Sequence, residues 1–225
     1  MEWAEVKARE PIFLNFGGQG DCHPKPNYEN YICIDLEPKG EYAVAHDLTK
    51  PIPLSDNSVD GILSEHFFEH ILYDDIEFLL AESYRVLKSG SMLRIAVPDY
   101  HSPRNLKYLS QGYDPTHTDH QTFTNYPLLK EITDASPFQN VEFYQYWDDD
   151  NFVYKKIDYS KGMIKRTADN DARNFREGFV QKFGGIFRDL AFILSKGLVI
   201  TKNEVLVQRG HPLRMTSIVI DLIKE

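Results

Sequence analysis

Short apolar runs alternate with one clear helical pattern along the first hundred residues of this chain. Runs rich in β-forming residues cover 12–16, 31–35, 42–46, 59–64 and 92–97. Between the last two runs, apolar residues recur at intervals of three and four from Ile76 to Leu87, the spacing of an amphipathic helix that faces a core. Strands that alternate with helices favour a parallel sheet covered on both faces. The sequence therefore predicts an α/β fold on a mainly parallel sheet.

The second half of the chain is less regular. We expect a helix over 128–135, a strand over 141–147 and a last strand over 217–222. A helical face over 175–194 precedes two short runs that flank the turn at 201–204. No linker marks a boundary, and 225 residues suit one α/β domain, so a single domain is predicted over 1–225.

Charge and apolar content argue against several classes of protein. The net charge is −9 at pH 7, and an acidic chain does not attract phosphate backbones, so we expect no nucleic-acid partner. No apolar stretch reaches the roughly 18 residues of a membrane span, and the N-terminal segment lacks a signal-peptide core. We therefore expect no membrane contact and a cytoplasmic location. Cys22 and Cys33 lack metal-site spacing and are predicted to be free thiols.

The first strand runs into the glycines of 17–20, and the second strand ends at Asp35. A glycine loop followed by an acid is the nucleotide-binding arrangement of doubly wound folds, although a plain turn is the alternative. A dinucleotide site also needs a third glycine that opens a helix, whereas Pro24 and Pro26 leave little room for a helix before the second strand. The pattern favours a ligand without a pyrophosphate, such as S-adenosylmethionine, over the NAD(P) of an oxidoreductase.

The stretch from residue 46 to residue 99 is more specific. Two segments resemble the signature of class I S-adenosylmethionine-dependent methyltransferases, in order and at the family spacing. They are HDLTKPIPLSDNSVDGILSEHFFEHI at 46–71 and LLAESYRVLKSGSMLRIAVPD at 79–99. The resemblance covers roughly 12–99. It implies a three-layer α/β/α Rossmann-like fold with a mainly parallel seven-stranded sheet and an antiparallel last strand.

The resemblance also implies which residues bind the cofactor, S-adenosylmethionine. Asn15 and Gln19 depart from the family pattern, since an acid and a glycine are usual at these positions. The expected contacts are Asn15, Gly17, Gly18 and Gly20 around the methionine part, Asp35 and Leu36 at the ribose, Asp47 and Leu48 at the adenine, and Ser64 and Glu65 at the end of the fourth strand.

A looser resemblance extends to the end of the chain. Segments 120–126, 128–131, 162–167, 170–174 and 217–221 resemble predicted methyltransferases associated with cell-surface polysaccharide synthesis. Against that pattern, 175–213 looks like a helical and hairpin insertion before the last strand. We therefore expect a small-molecule or carbohydrate acceptor. The apolar face of 175–194 suits a lid, a cover for the sheet or a homodimer contact.

Three residues are candidates for the base that O-methylation needs, the reaction favoured here. His66 ends the fourth strand, Asp99 follows the fifth, and His120 lies in a segment able to cover the site. A histidine titrates near neutral pH and can take a proton from a hydroxyl as it attacks. A capping role is the alternative for His66 and Asp99.

Two further patterns bear on metal binding and on activity. His70 follows His66 by four residues, and 117–120 holds two histidines around an aspartate. Histidines without a placed third ligand are more often structural, so we expect no metal site. The irregular loop at Asn15 and Gln19 leaves a non-catalytic binding module on the same scaffold as the alternative to an enzyme.

Overall fold

The computed structural model describes residues 1–18, 31–103, 105–149, 151–155, 157–161 and 216–225. The strands within these residues are β1 (Phe13–Phe16), β2 (Tyr31–Asp35), β3 (Ala43–Ala45), β4 (Gly61–Glu65), β5 (Met92–Pro98), β6 (Asn140–Asp148), β7 (Asn151–Tyr154) and β8 (Ser217–Ile223). The helices are α1 (Trp3–Lys7), α2 (Tyr73–Val86), α3 (Leu106–Gln111) and α4 (Tyr126–Ala135), with 3-10 turns at Phe68–His70 and Tyr159–Lys161.

All eight strands belong to one sheet in the order β3-β2-β1-β4-β5-β8-β6-β7. The first five strands run parallel, so their carboxyl ends meet at one edge of the sheet. Successive residues of β4, Ile62 and Leu63, point to opposite faces and are both buried. Burial on both faces explains why these strands are short continuous apolar runs rather than alternating ones.

The last strand, β8, lies between β5 and β6 and is antiparallel to both. Arg94 of β5 stands opposite Asp221 of β8 in this register. The guanidinium donates to both carboxylate oxygens at 2.6 and 2.7 Å, and both side chains are fully buried. A buried charge is tolerated only when it is paired and hydrogen-bonded, so this ion pair helps to fix the register of β8.

Helix α2 confirms the amphipathic pattern. Its buried residues are Ile76, Leu79, Leu80, Ser83 and Val86. The C-terminal end of the helix is capped by Lys224. This side chain donates to the carbonyl of Tyr84 at 2.6 Å and to the side chain of Asn57 at 2.8 Å. A lysine at this position satisfies a carbonyl of the last helical turn and complements the helix dipole.

The Rossmann-like α/β class is confirmed, but the described residues form a sheet of eight strands rather than the predicted seven. The extra strand, β7, forms a hairpin with β6, and Asp148 pairs with Asn151 across it. The sequence predicts no strand after 141–147 in this region, so β7 was missed. Helix α4 begins two residues earlier than predicted because the Asn125 side chain accepts from the backbone N–H of Leu128 and caps it.

Three further expectations concern the cysteines, the insertion and the domain boundary. Cys33 in β2 is disulfide-bonded, so the expectation of free thiols is wrong; Cys22 lies outside the described residues. The insertion at 175–213 also lies outside them. The single-domain boundary at 1–225 stays a prediction.

Candidate active site

The glycine loop after β1 is fixed by close packing. Gly17 has a φ of +66°, and a Cβ on it would lie 2.6 Å from the Cβ of Phe67. A Cβ on Gly18 would lie 2.7 Å from the side-chain nitrogen of Asn15 and 2.7 Å from the sulfur of Cys33. Only glycine fits at either position, since Gly17 combines a left-handed backbone with no free space. The loop therefore lies directly against the residue that follows His66.

Two acidic residues at the ends of β2 and β3 are held by their own turns. Asp35 accepts the backbone N–H of Glu37 at 2.9 Å through Oδ1. Asp47 accepts the N–H and the hydroxyl of Thr49 at 2.9 and 2.7 Å, also through Oδ1, and these hydrogen bonds lower its pKa. In each carboxylate Oδ2 has no donor among the described residues, which leaves it available to a ligand hydroxyl or amine.

The residues beside these acids differ in exposure. The Leu36 side chain is 70% exposed next to Asp35, whereas Leu48 is buried. Ser64 in β4 is fully buried, and its hydroxyl has no partner among the described residues. Glu65 is half-buried at the end of β4. Gly20 lies outside the described residues.

His66 follows β4 directly and has a left-handed backbone with a φ of +56°. Its N–H donates to the carbonyl of Ala96 at 2.8 Å, which extends the pairing of β4 with β5 by one residue. On the side chain, Nδ1 lies 3.1 Å from Oε1 of Glu69, and Nε2 lies 3.3 Å from the hydroxyl of Ser217. The imidazole is thus held between an acid and a hydroxyl.

Glu69 was missed in the sequence. It is fully buried in the 3-10 turn after His66, and its Oε2 has no hydrogen-bond partner among the described residues. Its backbone carbonyl accepts the N–H groups of Gln121 and Thr122 at 2.8 and 3.1 Å. The one available signal was an acid three residues after His66, which a 3-10 turn places on the same side.

His120, in the segment between α3 and α4, lies close to Glu69. Its imidazole is 5% exposed, with Nε2 at 3.9 Å from Oε1 of Glu69 and Nδ1 at 2.6 Å from the Tyr100 hydroxyl. Tyr100 in turn donates to Oδ2 of Asp114 at 3.1 Å. We call these residues the histidine cluster: His66, Glu69, Tyr100, Asp114 and His120. Sequence analysis placed only the two histidines of this cluster at the site.

Burial and hydrogen bonding set the charges in this cluster. Burial lowers the pKa of His120 and raises the pKa of Tyr100, so both stay neutral at pH 7. Burial would raise the pKa of Asp114, but hydrogen bonds from Thr116, His117 and Tyr100 outweigh it and lower that pKa to about 2. Asp114 is therefore an ionised acceptor for the Tyr100 hydroxyl.

Asp99 is not joined to this cluster by a hydrogen bond. It is fully buried after β5, where its carboxylate accepts the backbone N–H groups of Trp147 at 2.6 Å and His101 at 2.9 Å. Burial raises its pKa to about 7 against these hydrogen bonds. The geometry gives Asp99 the turn-forming role that was the alternative reading, and its catalytic role stays a prediction.

Comparison with solved structures supports the fold. A crystal structure of an S-adenosylmethionine-dependent methyltransferase from Archaeoglobus fulgidus superposes with a TM-score of 0.54 at 15% identity, covering 99% of this chain and 90% of that one. A Thermotoga maritima structure described as a possible histamine N-methyltransferase gives 0.54 at 14% identity, covering 98% and 85%. No curated protein matches the sequence.

Residues 18–95 match the family model described as a methyltransferase domain. This part of the chain is similar to a methyltransferase domain, and the fold is that of S-adenosylmethionine-dependent methyltransferases. These similarities support methyl transfer with S-adenosylmethionine as the cosubstrate over the NAD(P) and non-catalytic alternatives.

The match to the methyltransferase domain has limits that bear on the site. It includes Asp35, Asp47 and His66, but it ends before Asp99 and His120 and begins after Gly17. Among the described residues, none of the helices combines the length and the apolar character needed to cross a membrane. Within the described ranges, the glycine cradle, the available oxygens of the two acids and the Ser64 hydroxyl without a partner fit a nucleoside ligand at the carboxyl edge of the sheet.

Proposed function

We propose that the enzyme methylates a hydroxyl group of a small molecule or sugar, with His66 as the general base. The observation that carries the proposal is the hydrogen bond between Nδ1 of His66 and the buried carboxylate of Glu69. A carboxylate accepts the proton of Nδ1, so Nε2 keeps its lone pair. Nε2 is then the atom that can take a proton from an acceptor.

The cosubstrate would lie along the carboxyl ends of β1 to β4. Asn15, Gly17 and Gly18 would hold its methionine part, as would Gly20 outside the described residues. Asp35 and Leu36 would contact the ribose, Asp47 and Leu48 the adenine, and Ser64 and Glu65 the region near the sulfur. Support comes from the cradle that a Cβ would fill and from the carboxylate oxygens that have no donor in the part of the chain that the structure describes.

The position of His66 supports its role as base. Phe67, the next residue, packs against Gly17, so His66 lies beside the loop assigned to the methionine part. S-adenosylmethionine supplies a methyl group on a positively charged sulfur, and an acceptor held in line attacks it. The Ser217 hydroxyl lies 3.3 Å from Nε2, so a polar environment suited to an acceptor hydroxyl supports the proposal.

The other catalytic candidates would act through neighbours. His120 lies 3.9 Å from the same oxygen of Glu69 that contacts His66, so it would help to position the carboxylate. Asp99 would hold the end of β5 against β6. A carbohydrate acceptor, a cytoplasmic location and a homodimer remain predictions of the sequence pattern.

The test is methyl transfer from labelled S-adenosylmethionine to a panel of hydroxylated acceptors and matched amines, with wild-type protein and His66→Gln. We expect transfer to hydroxyl acceptors and a fall in kcat of about 10²- to 10⁴-fold in the variant, the usual contribution of a general base.

Binding of S-adenosylhomocysteine, measured by calorimetry, serves as the control and should be unchanged in His66→Gln. A variant that keeps full activity on hydroxyl acceptors would show that the base is another residue. Transfer to amines alone would overturn O-methylation and leave the methyltransferase assignment intact.

A further inference from the structure

Three potential metal ligands meet at the 3-10 turn after β4. Glu69 and His70 belong to this turn, and His120 comes from the segment before α4. One ligand atom from each lies within 4.8 Å of the other two. The His70 and His120 rings meet edge to face with centroids 4.8 Å apart. We call Glu69, His70 and His120 the ligand triad.

The two segments that carry the triad are tied together by hydrogen bonds. The carbonyl of Glu69 accepts two N–H groups, from Gln121 and Thr122. The carbonyls of His70 and Ile71 accept the side chains of Gln121 at 2.6 Å and Thr122 at 2.7 Å. The triad is therefore held by a rigid frame, which a preorganised ligand site requires.

Hydrogen bonds also set which nitrogen of each imidazole carries the proton. The Tyr100 hydroxyl donates to Asp114, so toward His120 it acts as an acceptor and receives the proton of Nδ1. Nδ1 of His70 faces two oxygens of Asp119, the carbonyl at 3.4 Å and the carboxylate at 3.2 Å, and must donate to them. Both imidazoles therefore present an unprotonated Nε2, the form in which histidine binds a metal while its other nitrogen donates to a fixed partner.

Glu69 supplies the negative charge. Its side chain is fully buried, and Oε1 contacts His66, while no described residue donates to Oε2. A buried carboxylate with an unpartnered oxygen is unfavourable unless a proton or a cation compensates it. A cation bound to Oε2 would remove this cost and leave the contact with His66 in place.

We propose that Glu69, His70 and His120 bind a divalent transition-metal ion of the zinc type. Two imidazole nitrogens and one carboxylate suit zinc or cobalt, whereas magnesium and calcium prefer oxygen ligands. Ligands of a tetrahedral ion bonded at about 2.1 Å lie about 3.4 Å apart, which is compatible with three ligand atoms that all lie within 4.8 Å of one another. Three protein ligands leave the fourth position open to water or to an oxygen of the acceptor.

A competing group shares His120 with the triad. Asp114, His117 and His120 also bring ligand atoms within 4.8 Å of one another. In that group the His117 side chain is 57% exposed, and Asp114 already accepts hydrogen bonds from Tyr100, Thr116 and His117. Asp114 therefore fits the outer position, orienting His120 through Tyr100, better than the ligand position.

The test is a titration of metal-stripped protein with Zn²⁺ against a chromophoric chelator, together with the visible absorption of added Co²⁺. We expect one ion per chain and an intense cobalt spectrum of tetrahedral type. His70→Gln and His120→Gln should each weaken zinc binding by more than about tenfold, since even loss of an outer-shell partner costs that much.

His117→Gln is the matched control for the competing group, and His101→Gln is a control outside both groups. Both should bind zinc as the wild type does, and thermal melts would confirm that every variant folds. Absence of a saturable cobalt spectrum in the wild type would overturn the proposal, as would a loss in His117→Gln without one in His70→Gln. No cosubstrate or acceptor is present, so the result is independent of the methyl-transfer assay.

Discussion

The two ends of the carboxyl edge are held together by hydrogen bonds of different range. On the side assigned to the cosubstrate, Asp35 and Asp47 each accept a hydrogen bond from a residue two positions along the chain. On the side of the histidine cluster, the contacts join residues far apart: 20 positions from Tyr100 to His120, and 151 from His66 to Ser217. The first side is built from local turns and stays open to ligand, whereas the second is buried and depends on the assembled fold.

This contrast predicts that protein stability depends on pH more strongly through the buried side than through the open side. Among the changes considered, the ionisation of Asp99 should have the largest effect on the free energy of unfolding. Burial raises its pKa from 3.8 to about 7, so the folded protein keeps a proton that the unfolded chain releases near pH 4. The stabilising contribution of the protonated form is complete below pH 4 and is lost as the pH rises through 7. The loss is on the order of 4 kcal/mol.

Urea unfolding of wild-type protein and Asp99→Asn between pH 4 and pH 8 measures this effect. The asparagine variant cannot ionise, so the part of the pH dependence that comes from Asp99 should vanish. The same slope in both proteins would mean that Asp99 does not titrate in this range and that the contrast between the two sides is weaker than the burial implies.

Gly17 lies between the two sides, because it packs against Phe67. Its substitution should have the second largest effect on the free energy of unfolding. Gly17→Ala places a Cβ in a left-handed backbone and against the Phe67 side chain. We expect a loss of about 2 to 4 kcal/mol in unfolding free energy, the sum of backbone strain and overpacking.

Gly112→Ala is the matched control for this change. Gly112 has a similar φ of +64°, but a Cβ on it meets nothing within 4 Å. Its cost should be about 1 kcal/mol, from the backbone alone. Equal losses in the two variants would show that the contact with Phe67 does not constrain the loop.

A substitution of Asp35 tests the open side. It should cause the smallest change in free energy, and that change is in cosubstrate binding. Asp35→Ala removes the acceptor assigned to the ribose, so S-adenosylmethionine binding should weaken by about 10- to 100-fold, as expected for hydrogen bonds to a charged group. Stability should hardly change, since the carboxylate makes only a local contact. Calorimetry with Glu37→Ala, a neighbouring exposed acid, provides the control; equal weakening in both would indicate a general charge effect.

The same contrast explains what could be predicted from the sequence. The apolar stripe of α2 and the strand ends at Asp35 and Glu65 follow from local periodicity, which a single sequence displays. The burial of Glu69 could not be predicted in this way, because it depends on a loop about 50 residues later that hydrogen-bonds over it. The short strand β7 was missed for a related reason: pairing with β6, rather than its own four residues, makes it a strand.

The position of β8 also has a consequence for how the protein folds. This strand comes last in the described chain, yet it lies between β5 and β6 and provides Ser217 beside His66. During synthesis β5 and β6 are made before β8. Until β8 pairs with them, their backbone edges are unpaired and their apolar faces are accessible to other chains. Pairing over such long sequence separations is slow. We therefore expect the nascent chain to be most vulnerable to aggregation just before β8 is inserted.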